Sequence, residues 1–366
     1  MPGADLPSRP AGAVRKRASS AWHLPSPSSA ARDWVVRWWG GEGGGIGHLL
    51  RLLTLPLEVG FRWVSGLRNR MYDVGALPLQ RAPLPVISVG NLSVGGSGKT
   101  PFAAWLVRGL RARGEKPALI VHGYGEDEFV LHRRWNPDCL VMAEQDRAYG
   151  AWKAARRGAT VVVLDDGFQH RRLARDLDVV LVPFDSPPIM RLLPRGPFRE
   201  PLSALSRAHV VAITHKGAGG PTRELQGLMA PHVREHPIRV ALVPDCWTRL
   251  SGEPAEAPDG DFLAVCGIGD PEGFARTLRQ ATGRDPELLT FPDHHDYSWG
   301  DVLEIGRRLR GRPLVTTEKD AVKLEAFAAD LPETVLVLHV RVSVQEGEEA
   351  FWEKVDGALR SRRIVG

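Results

Sequence analysis

The sequence predicts an α/β protein with buried parallel sheets arranged in two domains. Three observations carry that expectation. Short apolar runs recur from residues 85–89 to residues 335–344, separated by stretches of helical pattern. Runs without polar alternation are how strands covered on both faces read. A glycine-rich turn at residues 95–98 lies between the first of these runs and a helical stretch, and proline and glycine crowd residues 183–201 as at a domain boundary. A chain of 366 residues also suits two cores better than one.

Residues 1–32 are rich in Ser, Pro, Ala and Arg without periodicity. They read as a disordered extension, or as translation counted from a start codon too far upstream, and they lack the apolar stretch of a signal peptide. From residue 33 to residue 75 the composition changes: tryptophans and leucines, among them Trp34, Trp38, Trp39, Leu52, Leu53 and Trp63, are interleaved with arginines. Aromatic and basic residues around an apolar face suit an amphipathic helical segment at a lipid headgroup boundary, or else a helical hairpin docked on the protein's own core. Strands are then expected at residues 85–89, 118–121, 160–164 and 179–182, with a helix at 101–113. Further strands are expected at 210–214, 239–243, 262–266, 313–316 and 335–344.

The charge is unevenly placed. Residues 1–75 hold ten Lys or Arg and five Asp or Glu, so the excess there equals the +5 of the whole chain. A neutral remainder argues against nucleic-acid binding and for one locally basic surface. Cys139, Cys246 and Cys266 show neither disulfide nor zinc spacing, which points to a reducing compartment. No charge-free apolar run reaches the ~18 residues of a membrane span. No obligate protein partner is evident.

The glycine-rich turn has a specific chemistry. Ser93, Val94, Gly95, Gly96, Ser97, Gly98, Lys99 and Thr100 follow an apolar strand and open a helix. Glycines let successive N–H groups point inward at phosphate oxygens, the lysine reaches the β- and γ-phosphates, and the threonine hydroxyl suits Mg²⁺. ATP with Mg²⁺ is the expected ligand. The usual pattern has glycine at the position of Ser93, with Gly95 and Gly96 relieving the same crowding. The strand at 160–164 runs into Asp165 and Asp166, and carboxylates beside such a loop hold the metal directly or through water. Which of the two stands nearer the metal is left open by the sequence.

Five motifs in order resemble the tetraacyldisaccharide 4′-kinase family, the lipid A 4′-kinases of Gram-negative bacteria. They are the Val89–Pro101 loop, Asp165-Asp166-Gly167-Phe168-Gln169-His170, the 194–201 segment, Phe291-Pro292-Asp293-His294-His295, and Thr317-Glu318-Lys319-Asp320-Ala321-Val322-Lys323. The resemblance implies transfer of the ATP γ-phosphate to the 4′-hydroxyl of a tetraacylated glucosamine disaccharide 1-phosphate, and peripheral attachment to the cytoplasmic face of the inner membrane. It implies a P-loop domain over residues 76–188 plus 348–366, a second smaller α/β domain over 195–340, and a two-stranded hinge between them. It also implies that a carboxylate and a histidine together activate the hydroxyl. The matching positions are Asp127 and His294, with Lys99 and Asp166 at the triphosphate. In the family a longer loop and a Gly-Asp-Glu segment follow Ser-Arg-Gly-Tyr-Gly, whereas here His122 replaces the arginine and Glu126-Asp127-Glu128 follows at once. Glu128 or Asp166 stands as the alternative base. From the residues alone, Arg199 and Glu200 suit a phosphate contact, a hinge or a structural ion pair, and Thr317 suits a helix cap. Two other functions fit the loop: a nucleotide-gated membrane switch, and a kinase or ligase of a soluble small molecule.

Overall fold

The computed structural model describes residues 29–41, 44–122, 126–184, 190–217, 222–332 and 334–365. Residues 1–28 of the expected extension lie outside these, as do residues 123–125 of the shortened loop.

Three helices come first, α1 (Ser29–Gly40), α2 (Gly44–Leu53) and α3 (Leu55–Asp73). An alternating region follows: β1 (Val86–Asn91), α4 (Lys99–Ala112), β2 (Pro117–Val121), α5 (Glu126–Trp135), β3 (Leu140–Ala143) and α6 (Arg147–Arg156). It continues through β4 (Val161–Asp165), β5 (Leu177–Pro183), β6 (Val210–Lys216) and α7 (Arg223–Met229). The long β7 (Ile238–Arg249) turns back on β8 (Pro254–Ala255). Then come β9 (Leu263–Cys266), α8 (Pro271–Thr282), β10 (Glu287–Thr290) and α9 (Trp299–Leu309). The chain closes with β11 (Leu314–Thr317), α10 (Glu318–Leu324), β12 (Val335–Glu346) and α11 (Glu348–Val365). Every expected strand is present. The short β3, β8 and β10 were not expected: β8 has two residues and β10 is a half-exposed edge strand with polar ends, while β3, apolar over Leu140–Ala143, is an edge strand of only four residues.

All described strands join one sheet, in the order β10-β9-β11-β12-β7-β6-β5-β1-β4-β2-β3 with β8 against β7. Pairing is parallel except where β7 meets β12 and β8. The proline- and glycine-rich stretch at 183–201 does not break the sheet. It is part of the crossover between β5 and β6, which pair in parallel with Val179 opposite Val210. Such a link between parallel neighbours must leave the sheet and return, so turn-forming residues suit it without dividing a domain. The change of core falls instead within β7 and β12. Val240, Leu242 and Val342 pack with Ile87, Val163 and Leu106, whereas Leu336 and Leu338 pack with Ala264 and Phe274.

The C-terminal helix returns to the first of these cores. Phe351, Trp352, Val355 and Leu359 of α11 meet Phe102, Leu106 and Leu110 of α4, with the Phe102 and Phe351 rings edge to face at 5.8 Å. Gly109 makes the approach close: a Cβ there would lie 2.1 Å from the Trp352 ring. The indole cannot yield easily, because the Arg113 guanidinium sits 3.5 Å from its centroid. Gly109→Ala should therefore destabilise the protein by ~1–3 kcal/mol through overpacking, outweighing alanine's better helix propensity. The check is the denaturant midpoint; an unchanged or raised midpoint would show that α11 is not seated on α4.

Candidate active site

The parallel pairing of β1 with β4, Val89 opposite Asp165, sets the loop after β1 beside the end of β4. Gly98 caps α4 in the left-handed region at φ 84°, and Gly95 lies at φ 107°, conformations that favour glycine. The loop is braced from within, Asn91 Nδ2 donating to Ser97 Oγ at 2.8 Å, and from β6, Thr214 Oγ1 donating to the Ser97 carbonyl at 3.1 Å. Residues Gly95, Gly96, Ser97, Gly98, Lys99 and Thr100 line a cavity of about 250 Å³. Ser93 and Val94 do not line it. Ser93 bridges to Phe198, and the Val94 amide donates to the Pro197 carbonyl at 2.8 Å. Ser93 has no positive φ, which explains why the usual glycine can be absent there.

The two aspartates at the end of β4 have separate surroundings. Asp165 is buried, with Oδ2 3.0 Å from His132 Nε2, and its carbonyl accepts from Arg147 at 2.9 Å. Asp166 adopts φ 52° and lines the cavity, with Oδ1 3.7 Å from Lys99 Nζ. Arg199 donates to its Oδ2 at 3.0 Å. Burial opposes ionisation of Asp166, but Lys99 and Arg199 outweigh it and hold its carboxyl below the usual range. Asp166, not Asp165, therefore stands at the phosphate-binding loop, and Arg199 lines the same cavity. Glu200 instead accepts from Asn69 at 2.8 Å and pairs with Arg207 at 2.9 Å, so it holds structure.

Asp127, in the first turn of α5, does not itself line the cavity: its side chain is only 4% exposed, and its Oδ2 lies 3.1 Å from Nδ1 of His294, which does. Lys319 and Lys323 approach the same oxygen at 3.8 and 3.6 Å. Burial works against the Asp127 charge, yet the His294 hydrogen bond and the two lysines hold its carboxyl well below the ordinary carboxylate range. Glu128 goes the other way: burial and the charge of Asp165 push it up. Of the two neighbouring acids, Asp127 is thus the ionised partner of the histidine. His294 is 45% exposed, lines the cavity, and sits at φ 59°, a strained position for a non-glycine residue.

A buried network holds that position. Asp320 accepts from the Gly267 amide at 2.9 Å, the Tyr297 hydroxyl at 3.0 Å and Thr317 Oγ1 at 2.6 Å, while the His294 amide donates to the Gly267 carbonyl at 3.1 Å. Thr317 does cap α10, accepting from the Asp320 amide at 3.1 Å. The sequence reading of this motif as a cap missed that Lys319 and Lys323 reach the Asp127–His294 pair. Their spacing of one helical turn was the available signal. Lys216 was also missed; it lines the cavity, donates to the Gly96 carbonyl at 3.0 Å and pairs with Asp270 at 2.7 Å.

Away from the cavity, α2 and α3 carry most of the large exposed apolar side chains, including Ile46, Leu49, Leu52, Leu53, Leu57, Val64 and Leu67, with Trp63 75% exposed. They are anchored by Glu58, which accepts from the Leu192 amide at 3.0 Å and from Arg195 at 2.7 Å, and by Phe61. Among the described residues no helix is long and apolar enough to cross a membrane.

A family described as tetraacyldisaccharide-1-P 4′-kinase matches residues 50–130 and 125–360. The tetraacyldisaccharide 4′-kinase of Anaeromyxobacter sp. (strain K) is 36% identical over 359 residues, covering 88% of this chain and 94% of that protein. That of Parvibaculum lavamentivorans is 36% identical over 358 residues, covering 89% and 98%. A crystal structure of LpxK from Aquifex aeolicus in complex with ATP is 28% identical and superposes with a TM-score of 0.65, over 85% of this chain and 99% of that one. The chain belongs to the tetraacyldisaccharide-1-phosphate 4′-kinase family.

Proposed function

We propose that this protein transfers the γ-phosphate of ATP to the 4′-hydroxyl of a tetraacylated glucosamine disaccharide 1-phosphate, a step in lipid A formation. The observation that carries this reading is the single cavity onto which the phosphate-binding loop, Asp166 and His294 all open. In phosphoryl transfer the protein supplies position and charge neutralisation more than covalent chemistry. Lys99, Arg199 and the loop amides receive the triphosphate. Asp127 is too buried to meet a sugar hydroxyl, so it orients the exposed His294 and stabilises the imidazolium that forms when the proton is taken up. The acceptor O–H bond breaks with its proton passing to His294 Nε2. The oxygen bonds to the γ-phosphorus, and the bond to the β,γ-bridging oxygen breaks with its electron pair leaving on ADP.

Among the described residues no three His, Cys, Asp or Glu side chains converge as a self-sufficient metal site. Mg²⁺ needs none, since it binds through one or two carboxylates together with phosphate oxygens. Among the described residues Asp166 Oδ1 and Asp165 Oδ1 are buried without a hydrogen-bond partner, which fits carboxylates reserved for a cation, and Thr100 lines the same cavity as Asp166. Thr100 and Asp166, backed by Asp165, would hold the ion, and bound Mg²⁺ would neutralise charge on the β- and γ-phosphates.

The exposed apolar face of α2 and α3, rimmed by arginines, supports peripheral attachment to the cytoplasmic face of the inner membrane, where such an acceptor resides.

Four outcomes test the reading. Lys99→Ala should lose most of its triphosphate affinity in calorimetric titration; undiminished binding would contradict it. Asp127→Asn and His294→Ala should each lower kcat by ~10²–10⁴ while leaving KM for ATP within a few-fold. Because the base must be unprotonated, kcat should fall toward acid pH. The Asp127 hydrogen bond raises the His294 pKa against burial, so the midpoint of that limb should lie above the ordinary histidine value of 6.5. A flat profile between pH 6 and 8.5, roughly the span in which a raised histidine titrates, would argue against the pair. Finally, the triple variant Leu52→Glu, Leu53→Glu, Trp63→Glu should bind phosphatidylglycerol-containing vesicles about tenfold or more weakly in a sedimentation assay, since burial of such side chains drives binding.

A further inference from the structure

We propose that Lys319 keeps the outward nitrogen of His294 open for catalysis, holding the place of the acceptor hydroxyl until substrate arrives. The proposal rests on the reading of Asp127 and His294 as the catalytic pair. Its geometry is specific. Lys319 Nζ lies 3.1 Å from His294 Nε2 and 3.3 Å from Asp293 Oδ1, on the cavity wall. An ammonium group only donates, so Nε2 must present its lone pair in this contact, and the ring hydrogen must lie on Nδ1, facing Asp127 Oδ2 at 3.1 Å. A proton on Nε2 would set two donors and two positive charges against each other.

The surrounding charges explain why such a guard is needed. Asp127 and Glu128 come from α5, Asp293 from the histidine's own loop, and Lys319 and Lys323 from α10. The carboxylate Asp127, backed by Asp293, favours a charged imidazolium, which cannot accept a proton. Lys319 opposes it at the nitrogen itself, whereas Lys323 is spent on Asp127 Oδ2 at 3.6 Å and on the His295 carbonyl at 2.9 Å. When the acceptor hydroxyl enters, it can replace the ammonium as donor to Nε2. Lys319 is thereby freed toward the triphosphate end of the same cavity. It acts through His294 and is a positioning residue.

The test combines two readouts on the full chain. In ¹⁵N NMR of histidine-labelled protein, His294 should be the neutral Nδ1–H form at mildly alkaline pH. In Lys319→Met, and in Lys319→Gln should the first variant fold poorly, the ring should stay charged to higher pH. The acid limb of the kcat profile should then move up by at least about one pH unit, since a like charge beside a half-exposed group is partly screened. KM for ATP should stay within a few-fold, and Lys319→Arg should restore most of the wild-type profile. Lys323→Met should move the limb less. An unchanged His294 titration in the Lys319 variants would overturn the proposal, as would an equal shift in Lys323→Met, which would mark a general charge effect. Full turnover in His294→Ala would instead sink the catalytic pair, while the NMR result would still report on the Lys319 contact by itself.

Discussion

Asp127 and His294 are 167 residues apart in the chain yet lie 3.1 Å apart, and the candidate chemistry depends on that contact. Neither residue could hold it alone. Asp127 belongs to a helix on the phosphate-loop part of the sheet, and His294 to a loop on the other part. What fixes their separation is the antiparallel pairing of β7 with β12, two long strands whose ends serve different hydrophobic cores. The strained φ of 59° at His294 is tolerated because its amide and the loop around it are bonded to Gly267, which Asp320 holds in turn. Precision at the reacting atoms is thus delegated to buried groups that never face the cavity.

The same contact sorts neighbouring carboxyls into different jobs. Asp127 and Glu128 are adjacent, but one keeps its charge beside His294 and two lysines while the other is pushed toward the neutral form by burial and by Asp165. Asp165 and Asp166 divide likewise, one facing His132 and the other facing Lys99 and Arg199. Surroundings that separate the behaviour of paired acids are how one fold assigns distinct roles to chemically identical groups.

How far this was legible in the sequence depends on how local the cause is. The phosphate loop could be read directly, because glycine, lysine and threonine act through backbone geometry within one turn. Asp127 and His294 came from family resemblance, since no local rule links residues so far apart. The division between Asp165 and Asp166 could not be read, because it is made by Arg199 and His132, which reach them from other elements. The proline- and glycine-rich segment misled for a related reason: turn chemistry reveals that a chain leaves its strand, not whether the next strand joins the same sheet. Lys319 and Lys323 were hidden in a motif whose simpler role, capping a helix, is also true.

That segment at 190–200 also joins the two ends of the proposed reaction. Its amide at Leu192 and its Arg195 grip Glu58 of α3, Glu200 accepts from Asn69 of the same helix, and Arg199 donates to Asp166 at the phosphate loop. Arg171, two residues beyond Gln169, donates to the Asn69 carbonyl, and Gln169 donates to the Asn91 carbonyl at the end of β1. A lipid acceptor drawn from a bilayer must present its hydroxyl at the γ-phosphate while its chains stay in the membrane. Under the proposed membrane attachment, a short, hydrogen-bonded link from the apolar helices to the phosphate loop would meet that demand by keeping the height of the cavity above the lipid surface constant.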